Sequence, residues 1–412
     1  MSKQTKDIPE GYKMTELGPL PGEWEVTSLS NVVIKAKQSN PKKTPDWHFK
    51  YIDVSGINRD SLYIEETRDY IGEKAPSRAR KKIKAGDVLF ATVRPYLKRL
   101  SIVPESLDGQ ICSTAFCVIR ANRQVAEPYY LFYAAADDRF VGRISEKQRG
   151  SSYPAVTDKN VLSENIALPP LPEQKKIASV LSMVQQAREK TEGAIAALRV
   201  LKKSLMKHLF TYGPVPVDEA ENIELKETEI GRVPKDWEVK ELVNIATLQR
   251  GKDLPSHKQI PGPYPIVGSS GIIGYHKEYV SEGPGVVTGR SGSIGKLTYV
   301  EERYWPHNTG LYVKEFHGNL PKFVFYLLQM LDFKRYATGV SVPTLNRNFV
   351  HSAKLPQPRK NIQSNIAKTL QTIDTKLDTL ENEKRSLDDL FHTLLHDLMT
   401  AKIRVNEAEV PV

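Results

Sequence analysis

The sequence predicts an α+β protein in which two globular domains are joined by two long antiparallel coiled-coil helices and are related by a pseudo-two-fold internal repeat. Three observations predict this class. The chain repeats itself, each copy contains short β-branched and aromatic runs, and each copy ends in a long amphipathic helix. The 412 residues are enough for two domains of ordinary size.

The internal repeat extends across both halves of the chain. The motif Thr-Glu-[Leu/Ile]-Gly-x-x-Pro-x-x-Trp-Glu-Val that contains Trp24 recurs 213 residues later around Trp237. The motif Gly150-x-Ser-x-Pro recurs 189 residues later from Gly339, and this offset then holds through the long helix. The centres of the two copies therefore differ in length by roughly twenty residues. We expect both tryptophans to anchor an N-terminal arm on a domain.

The sequence predicts several strands and one helix in the globular part of each copy. The strand candidates are short, β-branched or aromatic, and separated by Gly and Pro. They are Tyr51–Ile57, Asp87–Val93, Leu100–Val103 and Ala115–Ile119 in the first copy, and Tyr264–Val267, Gly285–Thr288, Leu297–Val300 and Leu311–Val313 in the second. One amphipathic helix is predicted in each copy, near Tyr129–Phe140 and Pro321–Tyr336.

A long helix closes each copy. The first is predicted between Pro170 and Gly213, and the second follows Pro358. Apolar residues repeat every 3.5 positions in both, which is typical of a coiled-coil seam. The seam residues of these predicted spacer helices are Ile177, Leu181, Val184, Ile195, Leu198, Leu205, Leu209, Ile366, Leu370, Ile373, Leu377, Leu380, Leu387, Phe391, Leu394 and Leu398.

We predict that the two helices pair with each other in antiparallel orientation, because equivalent halves related by a two-fold axis suit two half-sites on duplex DNA. Parallel pairing is the alternative. Four polar residues interrupt the seam, and they either contact partner helices or set the register: Arg188, Thr191, Lys202 and Lys384. The predicted segments are a first domain with its arm over 1–168, a central helix over 169–213, a second domain over 214–355 and a C-terminal helix and tail over 356–412.

Composition narrows the function classes. The 59 Lys and Arg exceed the 49 Asp and Glu by 10, which favours polyanionic partners such as nucleic acid. Cys112 and Cys117 fall in one predicted strand on opposite faces, so we expect neither a disulfide between them nor a zinc site. No run of apolar residues is long enough for a membrane helix or a signal peptide, so a cytoplasmic protein without membrane contact is expected.

Catalytic motifs are missing from the sequence. The segment from Gly289 to Leu297 resembles a phosphate-binding loop, but it has five residues between its glycines and Leu at the position of the magnesium-binding hydroxyl. His392 and His396 are interpreted as a solvated pair on a helix. We therefore predict no catalytic residue, no metal site and no cofactor bound by this chain.

Basic residues interleaved with aromatic and small polar groups predict contact with DNA. Arginine forks suit guanine edges, whereas lysines and the amides of Gly-Ser turns suit phosphates. A solvated strand end is the alternative for any one of these turns. The candidates are Arg78, Arg80, Lys81, Lys82, Arg94, Tyr96, Lys98, Ser151 and Ser152 in the first copy, and Arg290, Ser291, Ser293, Lys296, His307, Asn308 and Ser341 in the second.

Taken together, these motifs resemble the specificity subunit of type I restriction–modification systems from end to end. The motifs that carry the resemblance are the Trp24 and Trp237 arms, Ala75-Pro-Ser-Arg-Ala-Arg, Gly86-Asp-Val-Leu-Phe, Gly289-Arg-x-Gly-Ser-Ile-Gly and Leu168-Pro-Pro-Leu-Pro-Glu-Gln. The second copy departs from the last motif, since it is two residues longer before Gln363 and lacks the Glu.

The resemblance implies a mechanism. Two target-recognition domains would each read half of an asymmetric double-stranded DNA site in the major groove, and the spacer helices would set the unread gap. Two modification subunits would dock and methylate flipped adenines at N6 with S-adenosylmethionine. Where restriction subunits exist, two would join with ATP and magnesium, so all catalysis would belong to partners. The alternatives are the specificity subunit of a stand-alone DNA methyltransferase and a coiled-coil scaffold carrying two ligand-binding domains without nucleic acid.

Overall fold

The computed structural model describes residues 8–339 and 343–405, which form two compact units. The first unit combines the chain up to Gly193 with the chain from Asn382 onward, and the second runs from Ala194 to Glu381. Both long helices are therefore divided between the units, and each unit is described by itself below.

The first unit contains twelve strands in its described part. They are β1 (Tyr12–Thr15), β2 (Gly18–Pro21), β3 (Glu25–Ser28), β4 (Val33–Ile34), β5 (His48–Ile52), β6 (Arg68–Ile71), β7 (Ala79–Lys82), β8 (Val88–Ala91), β9 (Leu100–Ile102), β10 (Ile111–Ser113), β11 (Phe116–Ala121) and β12 (Asn165–Leu168). One antiparallel sheet has the order β4-β11-β8-β9, and a second has the order β6-β5-β10-β7 with β5 and β10 parallel. A hairpin of β1 and β2 precedes the pair of β3 with β12.

Its helices are α1 (Pro128–Ala136), α2 (Asp138–Glu146), α3 (Asp158–Leu162) and the first half of α4 (Leu171–Tyr212). The single helix predicted near Tyr129–Phe140 is wrong, because Asp137 leaves helical geometry between α1 and α2. Its carboxylate accepts the Arg139 amide at 2.8 Å and so caps the second helix. All of α1 except Tyr129 is buried in the core between the first sheet and α4.

The second unit repeats this plan. Its strands are β13 (Leu225–Thr228), β14 (Gly231–Pro234), β15 (Glu238–Glu241), β16 (Thr247–Arg250), β17 (Tyr264–Gly268), β18 (Gly271–His276), β19 (Gly285–Gly289), β20 (Leu297–Val300), β21 (Trp305–Pro306), β22 (Gly310–Glu315), β23 (Ala337–Thr338), β24 (Thr344–Leu345) and β25 (Lys354–Gln357). Its helices are α5 (Leu242–Ile245), α6 (Pro321–Gln329), α7 (Arg347–His351) and the first half of α8 (Lys360–Met399). The helix predicted to reach Tyr336 ends early, since Asp332 instead caps a separate short turn at Phe333–Tyr336.

Corresponding sheets show where the two copies differ in length. The order β16-β22-β19-β20 corresponds to β4-β11-β8-β9, and the parallel pair of β17 and β21 corresponds to β5 and β10. Thirty-five residues separate Ile52 from Val88, but only sixteen separate Gly268 from Gly285. The extra length of the first unit contains β7, which has no counterpart among the described strands of the second unit.

The long helices run antiparallel within each unit. In the first unit, Arg188 pairs with Asp388 at 2.6 Å, and Lys384 pairs with Glu192 at 2.9 Å. In the second unit, the ion pair of Lys202 with Asp374 spans 2.6 Å. Thr191 donates to Glu383 at 3.5 Å, so every interruption of the seam meets a carboxylate on the facing helix. These contacts favour the register-setting interpretation of the four polar residues.

The predicted seam residues divide into two groups by what they pack against. Those of the middle form a helix–helix cluster in the second unit: Ile195, Leu198, Leu205, Ile373, Leu377 and Leu380. Those nearer the helix ends pack into the cores of the globular parts: Ile177, Leu181, Val184, Phe391, Leu394 and Leu398 in the first unit, and Leu209, Ile366 and Leu370 in the second. Leu387 is half-buried. The seam therefore also anchors each helix to a domain.

A buried glutamine fixes the start of each long helix. Gln174 accepts the Glu127 amide at 2.9 Å and donates to the Pro169 carbonyl at 2.9 Å. Its repeat counterpart Gln363 accepts the Leu320 amide at 3.0 Å and donates to the Pro358 carbonyl at 2.9 Å. Because a buried amide must be fully hydrogen-bonded, each glutamine holds its helix against the residue that precedes α1 or α6.

Candidate nucleic-acid interface

In the first unit, the turn after β8 meets the loop 150–154. The Arg94 amide donates to the Pro154 carbonyl at 2.7 Å, and its guanidinium donates to the Ser152 carbonyl at 3.1 Å and lies over the Tyr153 ring at 5.1 Å. Arg94 Nε is buried and has no hydrogen-bond partner within the described residues. Two candidate segments that the sequence predicted separately are thus one surface.

The backbone of this turn is strained at two residues. Arg94 and Lys98 adopt left-handed backbone conformations with φ of 50° and 49°, which cost a non-glycine residue about 1–2 kcal/mol each. Lys98 forms an ion pair with Asp138, while Tyr96 and Ser151 are exposed. Strain of this kind is typical of functional loops.

The basic residues of strand β7 lie on two different faces of the strand. The side chains that face outward or belong to the preceding turn are Arg78, Arg80 and Lys82. Lys81 points inward and is only 7% exposed, and its ammonium donates to the Phe116 carbonyl at 2.6 Å and to Asp158 at 2.5 Å. Because a strand alternates faces at every residue, Lys81 joins β7 to α3 and does not lie on the surface with its neighbours.

In the second unit, Arg290 lies in the turn after β19, at the ladder position that Thr92 holds in the first unit. Its amide donates to the Thr309 carbonyl at 2.9 Å, and its own carbonyl accepts the Leu345 amide at 2.8 Å. Ser291 forms a bridge with Thr344. The turn after β19 therefore meets β24, as the turn after β8 meets Ala155 and Val156 in the first unit.

The glycine-rich turn after β19 is a compact loop. A side chain at Gly289 would come within 2.0 Å of the Ser293 carbonyl, which explains the glycine. Ser293 is exposed, and the ammonium of Lys296 donates to the Ser270 carbonyl at 2.5 Å. The remaining candidate of this unit, Ser341, lies outside the described residues.

His307 and Asn308 border the same surface. His307 Nδ1 lies 3.0 Å from the Thr309 hydroxyl, and the Asn308 amide donates to Asp253. Tyr304, in the same segment, is fully buried. The polar tip of this segment thus lies beside the Arg290 turn, whereas its aromatic part packs inside the domain.

Arg250, which our sequence analysis missed, lies beside Arg290. Burial, followed by the charge of Arg250, lowers the pKa of Arg290. Arg250 ends β16 and is followed by Gly251 and Lys252. A basic residue and a glycine directly after a strand are the same signal that drew attention to Arg290, so the sequence could have shown this residue.

The cysteines lie in two strands, β10 and β11, so the single strand predicted for them is wrong. Both thiols are free and buried, and burial raises their pKa values. Within residues 8–339 and 343–405, no group of three or more His, Cys, Asp or Glu is placed to hold a metal ion. None of the helices in these ranges has the length and apolar character that crossing a membrane requires.

Sequence comparison connects this architecture with known proteins. The type I restriction modification DNA specificity domain matches residues 21–198 and again 234–388. Two proteins of Methanocaldococcus jannaschii named as the MjaX and MjaVIII type I restriction enzyme specificity subunits are 27% and 25% identical to the chain. Each match covers 96% of this chain, and the matches cover 97% and 96% of the relatives.

Solved structures agree with this match. A chain from a study of complex assembly and conformational transition in the type I R-M system is 25% identical, with a TM-score of 0.55 over 93% of this chain and 99% of that one. The type I restriction–modification S subunit from M. genitalium, at 17% identity, shares the fold with a TM-score of 0.66 over 96% of this chain and 98% of its own.

These matches exclude one of the hypotheses that the sequence left open: the scaffold without a role in DNA recognition is wrong. Both copies of the repeat match the specificity domain, so the resemblance recognised in the sequence is confirmed. The chain belongs to the family of type I restriction–modification specificity subunits, the non-catalytic subunits that give these systems their DNA sequence specificity.

Proposed function

We propose that each unit presents one DNA-reading surface and that the chain thereby reads an asymmetric site in two parts. The observation that carries this proposal is the meeting of an arginine turn with the loop after Gly150 in the first unit and with β24 in the second. Two diverged copies keep this juxtaposition although their centres differ in length. The proposed contacts are Arg78, Arg80, Lys82, Arg94, Tyr96, Lys98, Ser151 and Ser152 for one half-site, and Arg290, Ser291, Ser293, Lys296, His307, Asn308 and Ser341 for the other.

The two long helices act in this proposal as the spacer that sets the unread gap. Helix α4 has 42 residues and α8 has 40, lengths of about 60 Å at 1.5 Å per residue. Ion pairs between the antiparallel helices within each unit support this role. Two modification subunits dock on this chain and methylate adenine N6 with S-adenosylmethionine, and restriction subunits that use ATP and magnesium join where they exist. In this proposal the cofactors belong to those partners.

Replacing Arg94 tests the proposal at one half-site. Arg94→Ala removes a guanidinium that can bind a guanine edge in two hydrogen bonds, so discrimination at one base pair should fall by about 1–3 kcal/mol. Sequencing of methylated adenines in cells that carry the variant and its modification partner measures the change. Arg59→Ala is the matched control, since Arg59 is exposed and paired with Asp60 at 3.5 Å.

The expected methylation map of the Arg94 variant is relaxed at one position of one half-site and unchanged at the other. An unaltered map would contradict the role of Arg94. The broader proposal fails if the unaltered chain, assembled with its modification subunit, does not bind duplex DNA at low salt, where phosphate contacts are strongest.

A further inference from the structure

Arg250 and Arg290 lie at the same end of one sheet in the second unit. Strands β16 and β19 flank β22, and both Arg250 and Thr288 are register partners of Leu311. The ladder continues two residues beyond Thr288, where the Arg290 amide donates to Thr309. Because residues in register share a face and alternate residues along a strand do too, the two arginines and Thr288 lie on one face of the sheet.

This face holds positive charge that nothing in the unit offsets. Neither guanidinium forms a hydrogen bond or ion pair within the described ranges, and the lowered pKa of Arg290 reflects burial and Arg250 without any carboxylate. Two other arginines of the unit are paired, with Arg232 at 2.6 Å from Glu227 and Arg303 at 2.7 Å from Glu282. Two adjacent cations repel each other, so their juxtaposition is costly until an anion arrives.

A buried hydroxyl lies at the base of the same face. Thr288 is 1% exposed, and its Oγ1 has no hydrogen-bond partner among the described residues. The second unit therefore leaves a donor unused beside its two arginines, which is costly unless a ligand accepts from it.

We propose that Arg250 binds a backbone phosphate of the DNA next to the base pair that Arg290 reads. This inference rests on the function proposed above. The edge of a base offers only partial charges, whereas each phosphate carries a full negative charge, and only a full charge offsets two neighbouring guanidiniums. Arginine binds phosphate through charge-assisted hydrogen bonds. Arg250 thus contributes affinity, and Arg290 contributes sequence preference.

The test uses the full chain assembled with its modification subunit and a randomised pool of DNA duplexes. Arg250→Ala should weaken binding of the preferred duplex and of unrelated duplexes alike, by about tenfold. The slope of log affinity against log salt should fall in magnitude by about 0.9, the value for one phosphate contact. The enriched sequence should stay the same. Arg290→Ala should instead broaden the enriched sequence at one position.

Two control variants isolate the phosphate contact. Arg232→Ala removes one positive charge from the same unit at an ion pair on the β13–β14 hairpin, and it should leave the salt slope unchanged. Arg250→Lys retains the charge and should retain most of the slope. Loss of preference at one base pair in Arg250→Ala would overturn the inference, because that result identifies a base contact. An unchanged affinity and slope would overturn it as well.

A measurement without DNA provides an independent readout. Arg250→Ala should raise the thermal unfolding midpoint of the free chain, because it removes repulsion from Arg290 without breaking an ion pair. A lower midpoint would contradict the unpaired state on which the inference depends. If the unaltered complex binds no duplex, the proposed function has failed; if it binds and only Arg250→Ala behaves otherwise than expected, the inference alone has failed.

Discussion

Some basic side chains of this protein form ion pairs with carboxylates of the same chain, and others do not. Arg120 contacts the buried Asp87 at 2.6 Å, and Lys81 contacts Asp158 at 2.5 Å, so both cations hold elements together. The Arg94 guanidinium donates to the Ser152 backbone carbonyl. The Arg290 guanidinium has no polar partner among the described residues. Both of these arginines lie at strand-end turns, where the proposed function assigns them to DNA.

Adjacent identical residues show what sequence reasoning misses at this scale. Lys81 and Lys82 follow each other in β7, yet one is buried in an ion pair and the other lies 5.8 Å from the Trp47 ring on the surface. The cluster of basic residues in the sequence does not distinguish these two lysines. The phase of the strand, which depends on pairing with β10, decides which lysine faces outward.

Glu164 provides a prediction about acid stability. Burial by itself raises the pKa of Glu164, but the hydrogen bonds from Lys147 and Arg143 outweigh burial and hold the pKa below its ordinary value of 4.5. A carboxyl whose pKa is lower in the folded chain stabilises the fold fully above pH 4.5, and this contribution is lost as the pH falls through the folded pKa.

Glu164→Gln should therefore lower the free energy of unfolding by about 1–3 kcal/mol at neutral pH, and by less as the pH falls below 4.5. Urea unfolding at a series of pH values measures the difference. Glu146→Gln, at an exposed site of α2, is the control and should show little change. An equal loss at every pH would show that the Gln variant disturbs packing and not charge.

At the scale of elements, repeated side chains attach each long helix to its domain. The hydroxyl of Tyr133 in α1 lies 3.0 Å from Gln185 of α4, and the hydroxyl of its counterpart Tyr326 in α6 donates to Asp374 of α8 at 2.7 Å. The helices were predicted from heptad spacing alone, and their bounds follow the flanking Pro and Gly residues. Their attachment to α1 and α6 was not predicted, because tyrosine spacing carries no information about which element lies opposite.

The spacer proposal predicts a change in the unread gap. One heptad inserted after Gly193 in α4, with one before Asn382 in α8, preserves the seam repeat and both sets of ion pairs. Seven residues add about 10.5 Å of helix, so the gap should grow by about three base pairs at about 3.4 Å each. Mapping of methylated adenines measures it. Both half-site sequences should be unchanged, and a gap of the original length would refute the spacer role.

A single-helix insertion is the matched control for this experiment. The same heptad in α4 alone shifts Arg188 and Lys202 relative to their carboxylates on α8 in one of the two units. We expect this variant to unfold at a lower temperature than the double insertion, because one helix then carries residues that the other cannot pair.

At the scale of the whole molecule, both ends of the chain build the first unit. The Tyr12 hydroxyl donates to the Ala401 carbonyl at 2.6 Å, and Arg404 contacts Glu173 at 2.7 Å and Glu23 at 2.6 Å. Glu173 also accepts the Trp24 indole N–H at 2.9 Å. Residues 400–405, which follow α8, are thus part of the folded core of this unit.

This contact explains the departure of the second copy from the Pro-Glu-Gln motif. By the repeat offset of 189, Glu173 corresponds to Ile362, and Arg404 corresponds to Val215. Ile362 packs against the core cluster of the second unit, which also contains Trp237. The first unit therefore joins its chain ends with an ion pair, whereas both corresponding positions are apolar in the second.

Arg404→Ala should destabilise the first unit. It leaves the nearly buried carboxylate of Glu173 without its cation, which we expect to cost about 1–3 kcal/mol. Hydrogen exchange should show lost protection in β1–β3 and the start of α4 and no loss in the second unit. Lys402→Ala is the control, because Lys402 is 61% exposed and 3.6 Å from Asp397. Equal loss in both units would contradict the local role of the tail.

The sequence by itself determined the repeat, the α+β class, the long helices and the family. These features depend on periodicity and on motifs of residues that are close together in the sequence. Trp24 and Trp237 are buried as predicted. Only the tertiary structure decided which lysine of β7 is exposed, that Arg250 lies beside Arg290, and that the tail completes the first unit. Each of these depends on strand phase or on contacts between distant segments, and neither is encoded in local spacing.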